Sequence, residues 1–394
     1  MKIWPTLQTL SGLCFLAAAN GLVDGHGHVQ SQKRVSGKDS AIHRRLVSQS
    51  NDDILASSSQ ASNTFMSVPG MNCFAKGDND STYDIAFLGA PSDTAVTVRP
   101  GARFGPVNIR LATQIMSFGY SPFTGLSESL DRVRVASPAD FSATRDRDPL
   151  REWAKIVDCG DVPMYNLDKQ VAMGTLDRAH DLATLRKAAH PERCRSPRVL
   201  MLGGDHSTTL SALRAVRKRW GEVAVVHFDS HIDHGTFLYI AHEEGLILNN
   251  SIHAGIRAPH YYRRDLDDDR RCGFATVNAR EVDTLGIRGV IDKIRQRVGD
   301  SPVYVTVDID VLDPAFAPAT GTPEPGGWST RELLSILQGL EGLKVVGGDV
   351  VEVAPVYDTN NQITTLAAAH VALSLLDLMV TSPVGNASTK LEVK

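Results

Sequence analysis

The chain has 394 residues, of which 42% are hydrophobic and 22% charged, and its formal net charge is −4. These values are typical of a globular protein, with length enough for one large domain or two smaller ones. The slightly acidic balance and the lack of a lysine and arginine stripe exclude a nucleic-acid-binding surface.

The first 19 residues have the features of a secretory signal peptide. Lys2 supplies the positive charge, residues 7–16 a short apolar core, and residues 17–19 a small-residue cleavage site. This stretch is too short to span a membrane, and no later run of 18 apolar residues follows it. We therefore expect a secreted or secretory-pathway protein with no membrane partner.

Five cysteines are present, and Cys14 would be removed with the signal peptide. The other four lack the CxxC spacing of zinc sites. In an oxidising compartment they allow one or two disulfides, whose pairing the sequence does not reveal.

Residues 20–80 are polar and indicate a disordered N-terminal tail. From Tyr83 onward, short apolar strands alternate with segments of helical periodicity. One helix is predicted to begin near Ser329, which has capping-box spacing to Glu332. The alternation predicts an α/β fold, a three-layer α/β/α domain over residues 81–382 with a mainly parallel central sheet, followed by a C-terminal tail over 383–394.

The sequence VAVVHFDSHIDH, residues 223–234, is a predicted buried strand that ends in Asp229, His231 and Asp233. Side chains at positions i, i+2 and i+4 of a strand point to one side. Two carboxylates and an imidazole therefore converge at the carboxyl end of the strand, where open α/β sheets place their sites.

Three more predicted strand ends carry similar residues. GGDHS contains His206, VDIDVLDP contains Asp308 and Asp310, and DVVEVAP contains Glu352. Acidic residues inside apolar runs are costly to bury without a metal or a cationic partner. Together these strand ends predict a metal centre.

The six predicted ligands are His206, Asp229, His231, Asp233, Asp308 and Asp310. A set rich in carboxylates, with two imidazoles and no thiolate, suits Mn²⁺ better than a structural zinc site. Six side chains are too many for one tetrahedral ion, and four carboxylates would neutralise two divalent ions. Two ions about 3.5–4 Å apart can hold a bridging water and offer hydroxide at neutral pH.

The chain resembles the ureohydrolases, the arginase and agmatinase family, over roughly residues 83–380. The resemblance rests on GAPSD, RPGARFGP, GGDHS, FDSHID, HGT, DIDVLDP and EVAP, in that order. It implies an arginase-type α/β/α fold, two Mn²⁺ ions, and hydrolysis of a guanidinium group to urea and an amine. It also implies a homo-oligomer, a trimer or a hexamer.

The resemblance further implies a role for each residue. His206 and Asp233 would bind one ion, His231 and Asp310 the other, and Asp229 and Asp308 would bridge both. Glu352 would pair with the substrate guanidinium, and His234 of HGT would pass a proton to the leaving amine.

The sequence departs from the family at Asp233 and His234, which are adjacent here, whereas relatives separate the two motifs by a loop of a dozen residues or more. Adjacent side chains of a strand point to opposite faces, so both cannot hold family positions without local rebuilding. Three hypotheses follow: a segment lost from the gene model or transcript, a natural variant without activity, or a site that closes differently and works. Sequencing transcripts across codons 233 and 234 would exclude the first if the junction is natural.

The predicted function is release of urea from a guanidino compound such as agmatine or guanidinobutyrate, because EVAPVYD and GTPEPGG resemble agmatinases more than arginases. The alternatives are an arginase, and a catalytically inactive, metal-binding partner in a mixed oligomer.

Overall fold

A computed structural model describes residues 51–56, 63–75, 81–116, 148–232, 237–259 and 263–385. The predicted signal peptide, Asp233, His234 and residues 386–394 lie outside these ranges. The described residues belong to one compact unit that begins at Ser50.

In the described ranges, eight strands form a single central sheet, in the order β2-β1-β3-β8-β7-β4-β5-β6. The strands are β1 Ile85–Gly89, β2 Ile156–Asp161, β3 Arg198–Leu202, β4 Ala224–Phe228, β5 Ser251–Ile256, β6 Phe274–Asn278, β7 Pro302–Asp308 and β8 Lys344–Val351. All neighbouring pairs are parallel. Most strand residues are buried, as expected for valine-rich strands covered on both faces. The predicted α/β fold with a parallel sheet is confirmed.

The helices cover both faces of this sheet. They are α1 Asn51–Ala56, α2 Gly105–Ile115, α3 Lys169–Leu185, α4 Thr209–Trp220, α5 Phe237–Glu243, α6 Arg263–Arg271, α7 Glu281–Val298, α8 Thr330–Gly339 and α9 Ile363–Thr381. In β1, Ile85 and Phe87 join one apolar core, while Ala86 and Leu88 join the other. Residues of α2, α7, α8 and α9 pack into the first core, and residues of α1, α3, α4 and α5 into the second.

Helix α8 begins with the predicted capping box. The Glu332 backbone N–H donates to Ser329 Oγ at 3.2 Å, and the Ser329 backbone N–H donates to Glu332 Oε2 at 2.8 Å. The pair satisfies two N–H groups that a helix start leaves without partners.

Helix α9 is long and apolar enough to cross a membrane by length and composition alone. However, 72% of its most apolar window is buried inside the protein. It packs against β8, α2 and α8, so it has the surroundings of a core helix.

The described part of the predicted disordered tail, residues 20–80, is packed instead. It contains α1 and residues 63–75. We call residues 63–75 the N-terminal strap. Phe65 and Phe74 of the strap are buried, and Phe65 stacks on Phe87 with ring centroids 4.2 Å apart. These few large apolar residues anchor a segment whose overall composition is polar.

The strap is also bonded to β2. Gly70 forms a parallel bridge with Asp158, whose backbone N–H and C=O bond to Pro69 and Met71. Next to this pairing, Cys73 and Cys159 form a disulfide across 86 positions of the sequence. Among the described residues, the remaining cysteines, Cys194 and Cys272, are buried free thiols.

Candidate metal centre

Five of the six predicted ligands lie at the carboxyl ends of β3, β7 and β4, and Glu352 follows β8, which lies between β3 and β7 in the sheet. His206 begins a short 3₁₀ turn after β3, Asp229 follows β4, and Asp308 ends β7. His231 and Asp310 follow within two residues of these strand ends. Because the strands are parallel, loops far apart in sequence meet at one edge of the sheet.

One cluster consists of His206, His227 and Asp229, all buried. His206 Nδ1 lies 3.1 Å from Asp229 Oδ2, and His227 Nε2 lies 3.0 Å from the same oxygen. Asp308 Oδ2 is 3.3 Å from His206 Nδ1. The ligand atoms of the three clustered residues lie within 4.8 Å of one another, close enough to bind one ion together.

A second cluster consists of Asp229, His231 and Asp310. His231 Nδ1 lies 2.9 Å from Asp310 Oδ2 and 3.4 Å from Asp229 Oδ1. Asp229 therefore belongs to both clusters, with one oxygen directed towards each.

The three aspartates are oriented by backbone N–H groups. Asp229 Oδ1 accepts from the His231 N–H at 2.6 Å, and Asp308 Oδ1 accepts from the Asp310 N–H at 2.8 Å. Asp310 Oδ1 accepts from the Ser230 N–H at 3.0 Å. In each carboxylate, one oxygen is anchored and Oδ2 faces a histidine ring.

The buried charges shift the pKa values of Asp308, Asp229 and His231. Burial, reinforced by the neighbouring carboxylates of Asp310 and Asp229, raises the pKa of Asp308 well above its usual value. Burial opposes ionisation of Asp229 too, but the adjacent histidines His227, His206 and His231 lower its pKa well below the usual value. Burial would lower the pKa of His231, yet Asp229 and Asp310 raise it to about 12. The buried carboxylates of Asp229, Asp308 and Asp310 lie close together, so they need a nearby positive charge to remain ionised.

Two buried polar atoms show that the residues fit a metal ion. Within the described part of the chain, Asp229 Oδ2 and His227 Nε2 make no hydrogen bond, although they lie 3.0 Å apart. A buried polar atom without a partner is costly, whereas both atoms are good ligands for a divalent ion.

Glu352 follows β8 in the left-handed region of backbone conformation, with φ 61°. This is unusual for a residue with a side chain and indicates a position held by its surroundings. The Glu352 N–H donates to Gly204 O at 2.8 Å, and Glu352 Oε1 accepts from the His206 N–H at 2.8 Å. Burial raises the pKa of Glu352 to about 8, against the opposing effect of that His206 N–H.

Arg257, just after β5, holds the loop that carries Asp310. Its guanidinium donates to the backbone oxygens of Asp310, Leu312 and Glu324, at 2.6, 3.2 and 2.7 Å. A planar group with several fixed donors can fasten such a loop at several points. The same loop places Glu324 Oε1 3.8 Å from His231 Nε2.

The structure thus brings together His206, Asp229, His231, Asp308 and Asp310, with Glu352 beside them. Asp233 and His234 fall outside the described residues, so their predicted roles stay predictions. Sequence analysis missed His227. The alternation that linked Asp229 to His231 also reaches back two positions to His227, and this signal could have found it.

Comparisons with known proteins agree with this geometry. Residues 83–377 match the model of the arginase family. The chain is 43% identical to putative agmatinase 1 of Schizosaccharomyces pombe over 348 residues, covering 82% of this chain and 83% of that one. It is 39% identical to an agmatinase of Escherichia coli over 307 residues, covering 75% and 88%. Proclavaminate amidino hydrolase from Streptomyces clavuligerus superposes with a TM-score of 0.66 at 36% identity, covering 82% of this chain and 98% of that structure. The chain therefore belongs to the arginase family, and it is a hydrolase of carbon–nitrogen bonds in guanidino compounds.

Proposed function

We propose that this protein is a two-manganese hydrolase that releases urea from a linear guanidino compound of the agmatine type. The observation that carries the proposal is the pair of ligand clusters that share Asp229. A shared carboxylate is the arrangement expected where two ions lie side by side.

Six residues would hold the two Mn²⁺ ions: His206, Asp229, His231, Asp233, Asp308 and Asp310. The oxygen-rich donor set with imidazole and no thiolate supports manganese. When bound, such a pair of ions lowers the pKa of a water molecule and supplies hydroxide at neutral pH.

Glu352 would bind the substrate guanidinium. Its Oε1 is occupied by the His206 N–H, and none of the described residues donates to its Oε2. The free oxygen can accept a charge-assisted hydrogen bond from a guanidinium N–H. His234 would return a proton to the leaving amine, as the resemblance implies.

Agmatine or guanidinobutyrate is the proposed substrate, in preference to arginine. The similarity to the agmatinases of Schizosaccharomyces pombe and Escherichia coli supports this choice. Arginine cleaved faster than agmatine would overturn this choice.

A second candidate is an inactive protein that keeps the metals and joins a mixed oligomer. The direct succession of Asp233 and His234 favours it, because both residues were expected to act from separate positions. Co-purification with an active relative would support this candidate, and self-assembly alone would count against it.

We also propose that the protein is secreted and forms a homo-oligomer, a trimer or a hexamer. The signal-like first 19 residues support the first proposal, and the family resemblance supports the second. An N-terminal sequence of the extracellular protein that begins near residue 20, and a mass three or six times that of one chain, are the expected results.

The decisive experiment is urea release by the purified, Mn²⁺-loaded protein from agmatine, guanidinobutyrate and arginine, with metal content measured on the same sample. Two ions and urea from agmatine or guanidinobutyrate support the proposed function. Two ions without urea from any substrate support the inactive partner instead.

A further inference from the structure

His227 lies in a row of polar side chains that crosses the sheet just below the ligand clusters. Asp349 of β8, Thr306 of β7, His227 of β4 and His253 of β5 occupy facing positions in the register. All four are at most 1% exposed. Side chains at facing positions share one face of the sheet, so the row is continuous.

The row continues from His253 to Asp269 of α6. His253 Nε2 lies 2.8 Å from Asp269 Oδ1, and His253 Nδ1 lies 2.7 Å from His227 Nδ1. A carboxylate only accepts, so His253 Nε2 donates to Asp269. Only one hydrogen fits between the two Nδ1 atoms.

The position of that hydrogen decides what His227 Nε2 can do. If His253 donated it, this ring would donate from both nitrogens and carry a positive charge in a fully buried position. If His227 donates it, Nε2 has a lone pair instead. The second arrangement keeps both buried rings neutral, and it directs the lone pair towards the cluster of His206 and Asp229.

We infer that His227 is a further metal ligand, which binds through Nε2 on the His206 side of the centre. The hydrogen bonds from His227 to His253 and from His253 to Asp269 hold His227 in the required tautomer. The inference rests on the proposed metal function. Two ligand atoms about 2.1 Å from an ion and at right angles lie about 3 Å apart. His227 Nε2 and His206 Nδ1 lie 3.0 and 3.1 Å from Asp229 Oδ2, which matches this spacing.

The test is calorimetric titration of Mn²⁺ into the metal-free full-length protein, with pulsed EPR to count coupled imidazole nitrogens. His227→Phe keeps an aromatic ring in the cluster beside Phe237 and removes both nitrogens. His180→Phe is the matched control, because His180 is equally buried and contacts Met201 instead. We expect His227→Phe to lower the affinity for one of the two Mn²⁺ ions by at least about tenfold and to remove one nitrogen coupling. The control variant should change neither the affinity nor the number of couplings.

Asp269→Leu tests the contacts of His227 with His253 and of His253 with Asp269 without altering His227. Leucine cannot accept the His253 Nε2 hydrogen, so both rings would adopt the opposite tautomer and Nε2 of His227 would become a donor. We expect a loss of about 10- to 100-fold in affinity for the same ion. This variant also decides the matter if His227→Phe does not fold.

The outcomes separate this inference from the proposed function. Wild-type affinity and nitrogen couplings in His227→Phe would overturn the inference, and so would wild-type affinity in Asp269→Leu if the first variant is unfolded. Two-ion binding and urea release by the wild-type protein would in either case uphold the proposed function. A wild-type protein that binds no Mn²⁺ would overturn both.

Discussion

Replacing Glu352 with glutamine tests how the substrate is held. Glutamine keeps the size of the side chain, and its Oε1 can still accept from the His206 N–H, which Glu352 accepts at 2.8 Å. With that oxygen in place, the new NH₂ group occupies the position of Oε2. A donor then faces the donors of the guanidinium.

The structure sets the size of the effect. Only one carboxylate oxygen is free for the substrate, so the variant loses one charge-assisted hydrogen bond, worth about 1.5–3 kcal/mol. That range corresponds to a fall of about 10- to 150-fold in kcat/KM. The anchoring bonds of the His206 turn are kept, so metal content should stay at the wild-type value.

The assay is urea release over a range of agmatine concentrations, with metal content measured for each variant. Glu244→Gln is the control, because Glu244 pairs with Arg214 in an exposed ion pair. A kcat/KM of Glu352→Gln within threefold of the control, at equal metal content, would refute the assignment of Glu352 to the guanidinium.

Three further predictions concern stability and metal affinity. Changing Cys73 and Cys159 together to alanine opens a loop of 86 positions, which should lower the free energy of unfolding by about 4–5 kcal/mol in a urea titration; a loss below about 1 kcal/mol would contradict the loop-entropy argument. Burial lowers the pKa of His180 from 6.5 to about 4, so the unfolded chain binds the extra proton and stability falls as the pH drops from about 6.5 towards 4. At pH 5 the loss is about 2 kcal/mol, and His180→Phe should abolish that part of the pH dependence, whereas parallel stability curves for both proteins would disprove it. Thr306→Val removes the 2.9 Å hydrogen bond to His206 Nε2 and should lower the affinity for one Mn²⁺ ion by about 10- to 100-fold, measured by calorimetry. An unchanged affinity would mean that this hydrogen bond does not orient the His206 ring.

Much of the architecture follows from local sequence patterns. Runs such as residues 302–308 are apolar and valine-rich, and the segments between them have helical periodicity, so the parallel sheet was predictable. The capping box of Ser329 and Glu332 depends on two residues three positions apart, and it formed as expected. The strand-end ligands were predictable because every parallel strand ends at the same edge of the sheet.

The rest depends on contacts between distant segments. The pairing of His227 with His253 follows from the register of β4 and β5, and Asp269 reaches it from α6. No local pattern gives that register. The short helices α5 and α6 escaped prediction because each spans fewer than ten residues, which is too short for a clear period.

The N-terminal strap was missed for a similar reason. Its flanks are polar, and its contribution to the core comes from single residues such as Phe65, which packs on a strand 22 positions further along. The partner of Cys73 is even more distant in sequence. Composition averages over a segment and therefore conceals a few anchoring side chains.

The strap protects one edge of the sheet from aggregation while the protein is being made. Among the strands that the structure describes, β2 is the last at one end of the sheet, and its outer side would offer unpaired N–H and C=O groups to another chain. The bridge between Gly70 and Asp158 covers part of that side, and the Cys73–Cys159 bond fastens the cover. Reduction of this bond would release the cover and leave a template for aggregation. Soluble protein should therefore be recovered best from hosts that oxidise thiols during export.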